Sequence, residues 1–191
     1  MPKVREEIER RGMTLDEQQL VLEYAKKTVY GNIFEVALST GMRNGELRAL
    51  EWSDIDFDNK MIHVTGTLIY SKGAYSKGTP KSRTSKRDIP MLNNVYAILK
   101  KRRKELLQLR IALGDKWNPE DGLDNMVFTN DFGGRINHTS MQYYMTHILK
   151  MIENDGLEFE PIHIHTLRHT FATRCIENGM QPQVLKTIMG H

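Results

Sequence analysis

The chain lacks the features that mark secreted, membrane-spanning or disulfide-rich proteins. Its 191 residues include one cysteine, Cys175, which excludes an internal disulfide and fits a reducing compartment. There is no run of about 18 apolar residues, so no membrane span is expected. The charged N-terminus, MPKVREEIERR, lacks the apolar segment of a secretion signal. We therefore expect a cytoplasmic protein with a single main domain.

Acidic residues are scarce in one part of the chain. Residues 70–105 contain eleven lysines and arginines but only two acids, Asp88 and Glu105, which gives this segment a net charge of +9. The whole chain has a net charge of +3, so the remainder has −6. This asymmetry indicates a polyanion at one face, and nucleic acid is the first candidate. For the run Lys100–Lys104 alone, a solvated basic helix is an equally good interpretation.

The hydrophobic pattern predicts mostly helices. Thr14 and Glu17 have the spacing of a capping box ahead of a first helix. Residues 54–64 have the pattern of a β-hairpin and residues 86–90 that of another strand, with an exposed loop predicted over 71–85. Further helices are predicted over 31–40, from Asn44, and over 92–113, 139–153, 165–178 and 182–189.

The predicted fold class is therefore mainly α with a small antiparallel β-sheet (α+β). Residues 1–13 are polar and are predicted to be an N-terminal tail or the remnant of a linker. Residues 14–191 are predicted to form the domain.

Three distant segments each contain side chains suited to a phosphate group. In TGMRNGEL, Gly41 ends one helix and Arg43 lies at the N-terminal end of the next, where backbone N–H groups favour an anion. In TPKSRTSKRDIP, several lysines precede a strand, and a lysine can protonate an alkoxide leaving group. In HTLRHTFAT, His165 and Arg168 share a helix face, and IMGH ends at His191.

These four motifs, in this order and spacing, resemble the catalytic domain of the tyrosine recombinases, the family of phage and conjugative-transposon integrases. The resemblance covers roughly residues 14–191 and implies the tyrosine recombinase catalytic-domain fold. It also implies site-specific DNA recombination, in which strands are broken and rejoined through a 3′-phosphotyrosine intermediate. The implied partners are a double-stranded DNA recombination site and other protomers of the same recombinase in a synaptic complex.

The resemblance implies a role for each site residue. Arg43 and Arg168 would bind the non-bridging oxygens of the scissile phosphate, and Lys81 would protonate the 5′-hydroxyl leaving group. His165 would assist proton transfer, His191 would hydrogen-bond the phosphate, and Glu46 would be structural. No cofactor or metal is expected, because two arginines and a lysine supply the positive charge. Contacts to the DNA backbone are predicted for five further basic residues: Lys72, Lys77, Arg83, Lys86 and Arg87.

The family pattern also requires a tyrosine nucleophile beyond the Gly-His motif. The seven tyrosines of this sequence all lie upstream of His191, and none matches that motif position. We therefore expect a catalytic domain that lacks its tyrosine-bearing C-terminal segment and that alone does not form a covalent bond with DNA.

Other interpretations of the same residues lead to different functions. His165 and His169 are four residues apart, as helical zinc ligands can be, but the segment lacks the glutamate of HExxH and places an arginine beside the metal. A non-catalytic DNA-binding or regulatory protein is a second alternative. A type IB topoisomerase shares the chemistry, but the compact motif spacing favours a recombinase.

Overall fold

The computed structural model describes residues 11–78 and 86–190. Seven α-helices in this part of the chain account for most of the regular structure. They are α1 (Leu15–Lys26), α2 (Gly31–Thr40), α3 (Asn44–Arg48), α4 (Asn93–Leu113), α5 (His138–Asn154), α6 (Ile164–Glu177) and α7 (Pro182–Met189). Short 3₁₀ turns follow α3 at Trp52–Asp54 and α4 at Gly114–Lys116.

The strands form two small antiparallel sheets. In the first, β2 (Met61–Val64) pairs with β1 (Ile55–Asp56) on one side and with β5 (Arg87–Pro90) on the other. In the second, β3 (Thr67–Ser71) and β4 (Ala74–Gly78) form a hairpin. The predicted fold class, mainly α with a small antiparallel β-sheet, is confirmed.

Helix α2 lies at the centre of the main hydrophobic core. Seven of its ten residues are buried, and the helix packs against α1, α4 and α6. Helix α5 contributes a stripe of buried residues at helical spacing, including Met141, Met145 and Ile148. Because α2 ends at Gly41 and leads directly into α3, this packed core fixes the position of Arg43.

The structure corrects two of the predictions about local structure. Residues 74–78, predicted as part of a loop, form strand β4, and the hairpin turn is made by Lys72 and Gly73, both with positive φ. The predicted boundary at residue 14 also moves. Met13 is 1% exposed, and its N–H donates to Thr170 Oγ1 at 2.9 Å. Residues 11–13 are therefore part of the packed domain.

Candidate phosphate-binding site

Arg43 is placed by the turn that joins α2 to α3. Gly41 ends α2 with φ +62°, and a Cβ atom at this position would lie 2.3 Å from the ring of Phe171, so only glycine fits. The N–H of Arg43 donates to Glu46 Oε2 at 2.8 Å, and its Nη1 donates to Glu46 Oε1 at 2.9 Å. Glu46 therefore holds Arg43 from two sides. The Arg43 side chain is 37% exposed and accessible to a ligand.

Arg168 reaches the same place from helix α6. Its Nη1 donates to the carbonyl of Gly41, the residue that ends α2, and its Nη2 donates to the carbonyl of Met189 at 2.6 Å. Arg43 Nη2 donates to the next carbonyl along the chain, that of Gly190, at 3.0 Å. Two arginines that are 125 residues apart in the sequence are thus brought together at the end of α7.

The electrostatics of this place favour an anion. Burial and the charges of Arg43 and Arg87 lower the pKa of Arg168 to about 10, which leaves it protonated at neutral pH. Glu46 provides negative charge beside them and is itself buried. Burial alone would raise the pKa of Glu46, but hydrogen bonds and charge from Arg87, and then from Arg43, keep it below its usual range. The ionised Glu46 binds the guanidinium groups of Arg43 and Arg87. Together with Arg168, these side chains carry a net positive charge.

Arg87 does not lie where the sequence analysis predicted. Its side chain is 3% exposed. Nη1 and Nη2 donate to the two oxygens of Glu46 at 3.0 and 2.8 Å, and Nε donates to the carbonyl of Ile188. The predicted contact between Arg87 and the DNA backbone stays a prediction, and in this structure the guanidinium is buried against protein acceptors. The alternation of β5 carried a signal for this, since Arg87 shares a strand face with the buried Ile89.

His165 lies on the exposed side of α6, one turn before Arg168. Partial burial, followed by electrostatic repulsion from neighbouring groups such as Arg168, lowers the pKa of His165. The imidazole is therefore neutral at pH 7 and is able to accept a proton. Among the described residues, no group of three or more histidine, cysteine or acidic side chains is arranged to hold a metal ion.

The remaining predicted DNA contacts fall into three groups. Lys72, at the hairpin turn, and Lys86 are exposed. Lys77 Nζ instead donates to Asp54 Oδ2 at 2.6 Å and to Glu51 Oε2 at 2.9 Å, with only 17% of its side chain exposed. Its predicted contact with the DNA backbone stays a prediction, and here two carboxylates of the protein bind the ammonium group. The other predicted site residues lie outside the described part of the chain: Lys81, Arg83 and His191.

No helix in the described part of the chain is both long enough and apolar enough to cross a membrane.

Comparison with known proteins places this geometry in a family. The chain is 29% identical to a XerC-like tyrosine recombinase of Caldanaerobacter subterraneus subsp. tengcongensis, an alignment that covers 83% of this chain and 41% of the relative. It is also 29% identical to the transposase of transposon Tn916 from Enterococcus faecalis, over 94% of this chain and 44% of the relative. The chain thus spans less than half the length of these curated relatives.

A solved structure shows the same fold. The Tn1549 transposon integrase, in complex with transposon right end DNA, superposes with a TM-score of 0.83 at 27% identity. The match covers 98% of this chain and 60% of that structure. The family model described as "Phage integrase family" matches residues 11–191. This match confirms the resemblance, and the chain belongs to the phage integrase family.

Proposed function

We propose that this chain is the catalytic domain of a site-specific DNA recombinase, which breaks and rejoins DNA strands through a 3′-phosphotyrosine intermediate. It acts in the cytoplasm, on a double-stranded recombination site and together with other protomers. The convergence of Arg43 and Arg168 on one place, backed by Glu46, is the observation that carries this proposal. The names of the relatives and the DNA in the Tn1549 integrase structure support it.

The proposed mechanism assigns one task to each side chain. Arg43 and Arg168 bind the non-bridging oxygens of the scissile phosphate and stabilise the added negative charge of the transition state. Lys81 gives a proton to the 5′ oxygen as the bond between phosphorus and this oxygen breaks. The neutral His165 accepts a hydrogen bond or a proton on the nucleophile side, and His191 hydrogen-bonds the phosphate.

Strand joining, the reverse of cleavage, tests this proposal without a nucleophile from the protein. The substrate is a nicked duplex whose 3′ end at the nick is a p-nitrophenyl phosphate ester and whose other end is a 5′-hydroxyl. The 5′ oxygen attacks phosphorus, the bond to p-nitrophenol breaks, and p-nitrophenolate leaves. The proton of the 5′-hydroxyl passes to Lys81. Randomised sequence around the nick, followed by sequencing of the joined strands, reports the preferred site.

We expect the chain to join such nicks and to release p-nitrophenolate in equal amount. Arg43→Ala should lower the joining rate roughly 100- to 1000-fold, as the loss of one transition-state hydrogen-bond donor does elsewhere. Lys150→Ala removes one exposed positive charge from α5 and is the matched control, with an unchanged rate. DNA binding without joining would contradict the catalytic proposal and indicate a non-catalytic DNA-binding protein.

A further inference from the structure

The C-terminal end of α7 is held by three arginines from three different elements. The carbonyl of Ile188 accepts from Arg87 Nε, that of Met189 from Arg168 Nη2, and that of Gly190 from Arg43 Nη2. The last carbonyls of a helix have no partner within the helix and form the negative end of its dipole. Each of these three consecutive carbonyls is satisfied here by a charged donor.

Two of these arginines belong to the proposed phosphate site, and the third, Arg87, does not reach the surface. Strand β5 fixes its backbone, since Val64 of β2 pairs with Arg87 in the sheet. The guanidinium lies close to the end of α7, and a Cβ atom on Gly190 would be only 3.0 Å from Arg87 Nη1. Arg87 is therefore built into the wall behind the site.

Glu46 connects Arg87 to Arg43 by paired hydrogen bonds. Oε1 of Glu46 accepts from Nη1 of both arginines, at 2.9 Å from Arg43 and 3.0 Å from Arg87. Oε2 accepts from the Arg43 N–H and from Arg87 Nη2, both at 2.8 Å. With both oxygens engaged twice, the carboxylate has one orientation, and the guanidinium of Arg43 is aligned against it.

We propose that Arg87 is a positioning residue of the strand-transfer reaction: it orients Arg43 through Glu46 and holds the Gly190 end of α7 through the Ile188 carbonyl. This inference rests on the proposed function. Arg87 touches neither DNA nor the reacting atoms, so its loss should slow the reaction without weakening DNA binding. Misplacement of a reacting or charge-stabilising group by about 1 Å can cost roughly 100-fold in rate.

The test compares Arg87→Met and Arg87→Lys with the unchanged chain in the p-nitrophenyl joining assay. Duplex affinity is measured by fluorescence anisotropy, and the joining rate is measured at saturating DNA. We expect Arg87→Met to keep its affinity within about twofold and to join roughly 100-fold more slowly. Arg87→Lys keeps a positive charge beside Glu46 but loses the forked geometry, and its rate should fall roughly 3- to 10-fold.

The outcomes separate the inference from its alternatives. An affinity loss with an unchanged saturating rate would show that Arg87 contacts DNA and would overturn the inference, as would unchanged rates in both variants. If Arg87→Met does not fold, Arg87→Lys decides by the same two measurements. If the unchanged chain does not join nicks, it is the proposed function that fails.

A measurement without DNA keeps the inference testable in that case. Nitrogen-15 NMR of the Arg43 guanidinium reports how fast its terminal groups rotate. In the unchanged chain we expect slow rotation, because Glu46 and Gly190 both accept from this side chain. Arg87→Lys should give faster rotation, while Lys150→Ala should not. Equal rotation in all three chains would contradict the inference.

Discussion

The basic segment between residues 70 and 90 contains two kinds of cation. Lys72 and Lys86 are exposed, whereas Lys77 and Arg87 hold carboxylates of the protein itself. In the sequence all four have the same apparent role, since they occur in one stretch that is poor in acids. Position on a strand decides between the two kinds. Arg87 shares a face with the buried Ile89, and Lys77 shares one with Tyr75, which packs against a small cluster of buried apolar residues that includes Leu68.

A basic segment in the sequence therefore overstates the positive surface that DNA can reach. Lys77 and Arg87 neutralise carboxylates of the α3 region, Asp54 and Glu46 respectively. They attach β4 to the 3₁₀ turn at Trp52–Asp54 and β5 to α3, the helix that Arg43 precedes. These two cations therefore contribute to the arrangement of the site. Among the described cations of this segment, Lys72 and Lys86 are left as candidates for electrostatic attraction of DNA.

The largest effect on folding should come from breaking the Lys77 pair. Lys77→Met leaves Asp54, whose side chain is 6% exposed, and Glu51 without their cation. We expect the free energy of unfolding to fall by about 2 to 3 kcal/mol. The loss of a fully buried pair would cost more, but Lys77 and Glu51 are partly solvated. Urea unfolding of Lys77→Met and of the unchanged chain measures this difference in the free energy of unfolding.

Lys72→Met is the matched control for this prediction. It removes the same charge from the same hairpin, but at an exposed position, and should change the free energy of unfolding by less than about 0.5 kcal/mol. If Lys72→Met proves as costly as Lys77→Met, the distinction between the two kinds of cation is wrong.

The second prediction concerns DNA affinity and its dependence on salt. Each phosphate contact that is lost should reduce the slope of log affinity against log salt by about 1. We expect this reduction for Lys72→Ala and for Lys86→Ala, measured by anisotropy with duplex DNA between about 50 and 200 mM salt. Lys77→Met should leave the slope unchanged. A reduced slope for Lys77→Met would show that its ion pairs open to bind DNA.

The helices could be predicted from the sequence because long apolar repeats and end signals define them. Helix α7 lies at the predicted residues 182–189, and the capping box of Thr14 and Glu17 is present. Strand β4 was missed because its residues, AYSKG, are mostly small or polar. It becomes a strand through pairing with β3 and the packing of Tyr75 near Leu68, which are tertiary effects.

The candidate site likewise combines residues that local sequence motifs identify with contacts that depend on tertiary packing. Arg43, His165 and Arg168 were singled out by their motifs. The binding of Arg87 to Glu46, over 41 residues, and the contact of three arginines with the end of α7 depend on how distant elements pack. Such contacts have no periodic signature in a single sequence.

The smallest expected effect comes from an ion pair of intermediate exposure, that of Glu17 with Arg11. Two hydrogen bonds from Arg11, outweighing partial burial, hold the pKa of Glu17 at about 2, below its ordinary 4.5. A lowered pKa means that Glu17 stabilises the fold above about pH 4.5 and that this contribution is lost as the pH falls toward 2. Glu17→Gln should therefore lower the free energy of unfolding by about 1 kcal/mol at neutral pH, since solvent weakens a half-exposed pair. Urea unfolding of both chains should give a difference that shrinks as the solution is acidified.

Glu160→Gln, which removes the second and 74% exposed partner of Arg11, is the control and should change stability by less than about 0.5 kcal/mol. A pH-independent difference for Glu17→Gln would mean that its packing or its cap, and not its charge, stabilises this end of α1.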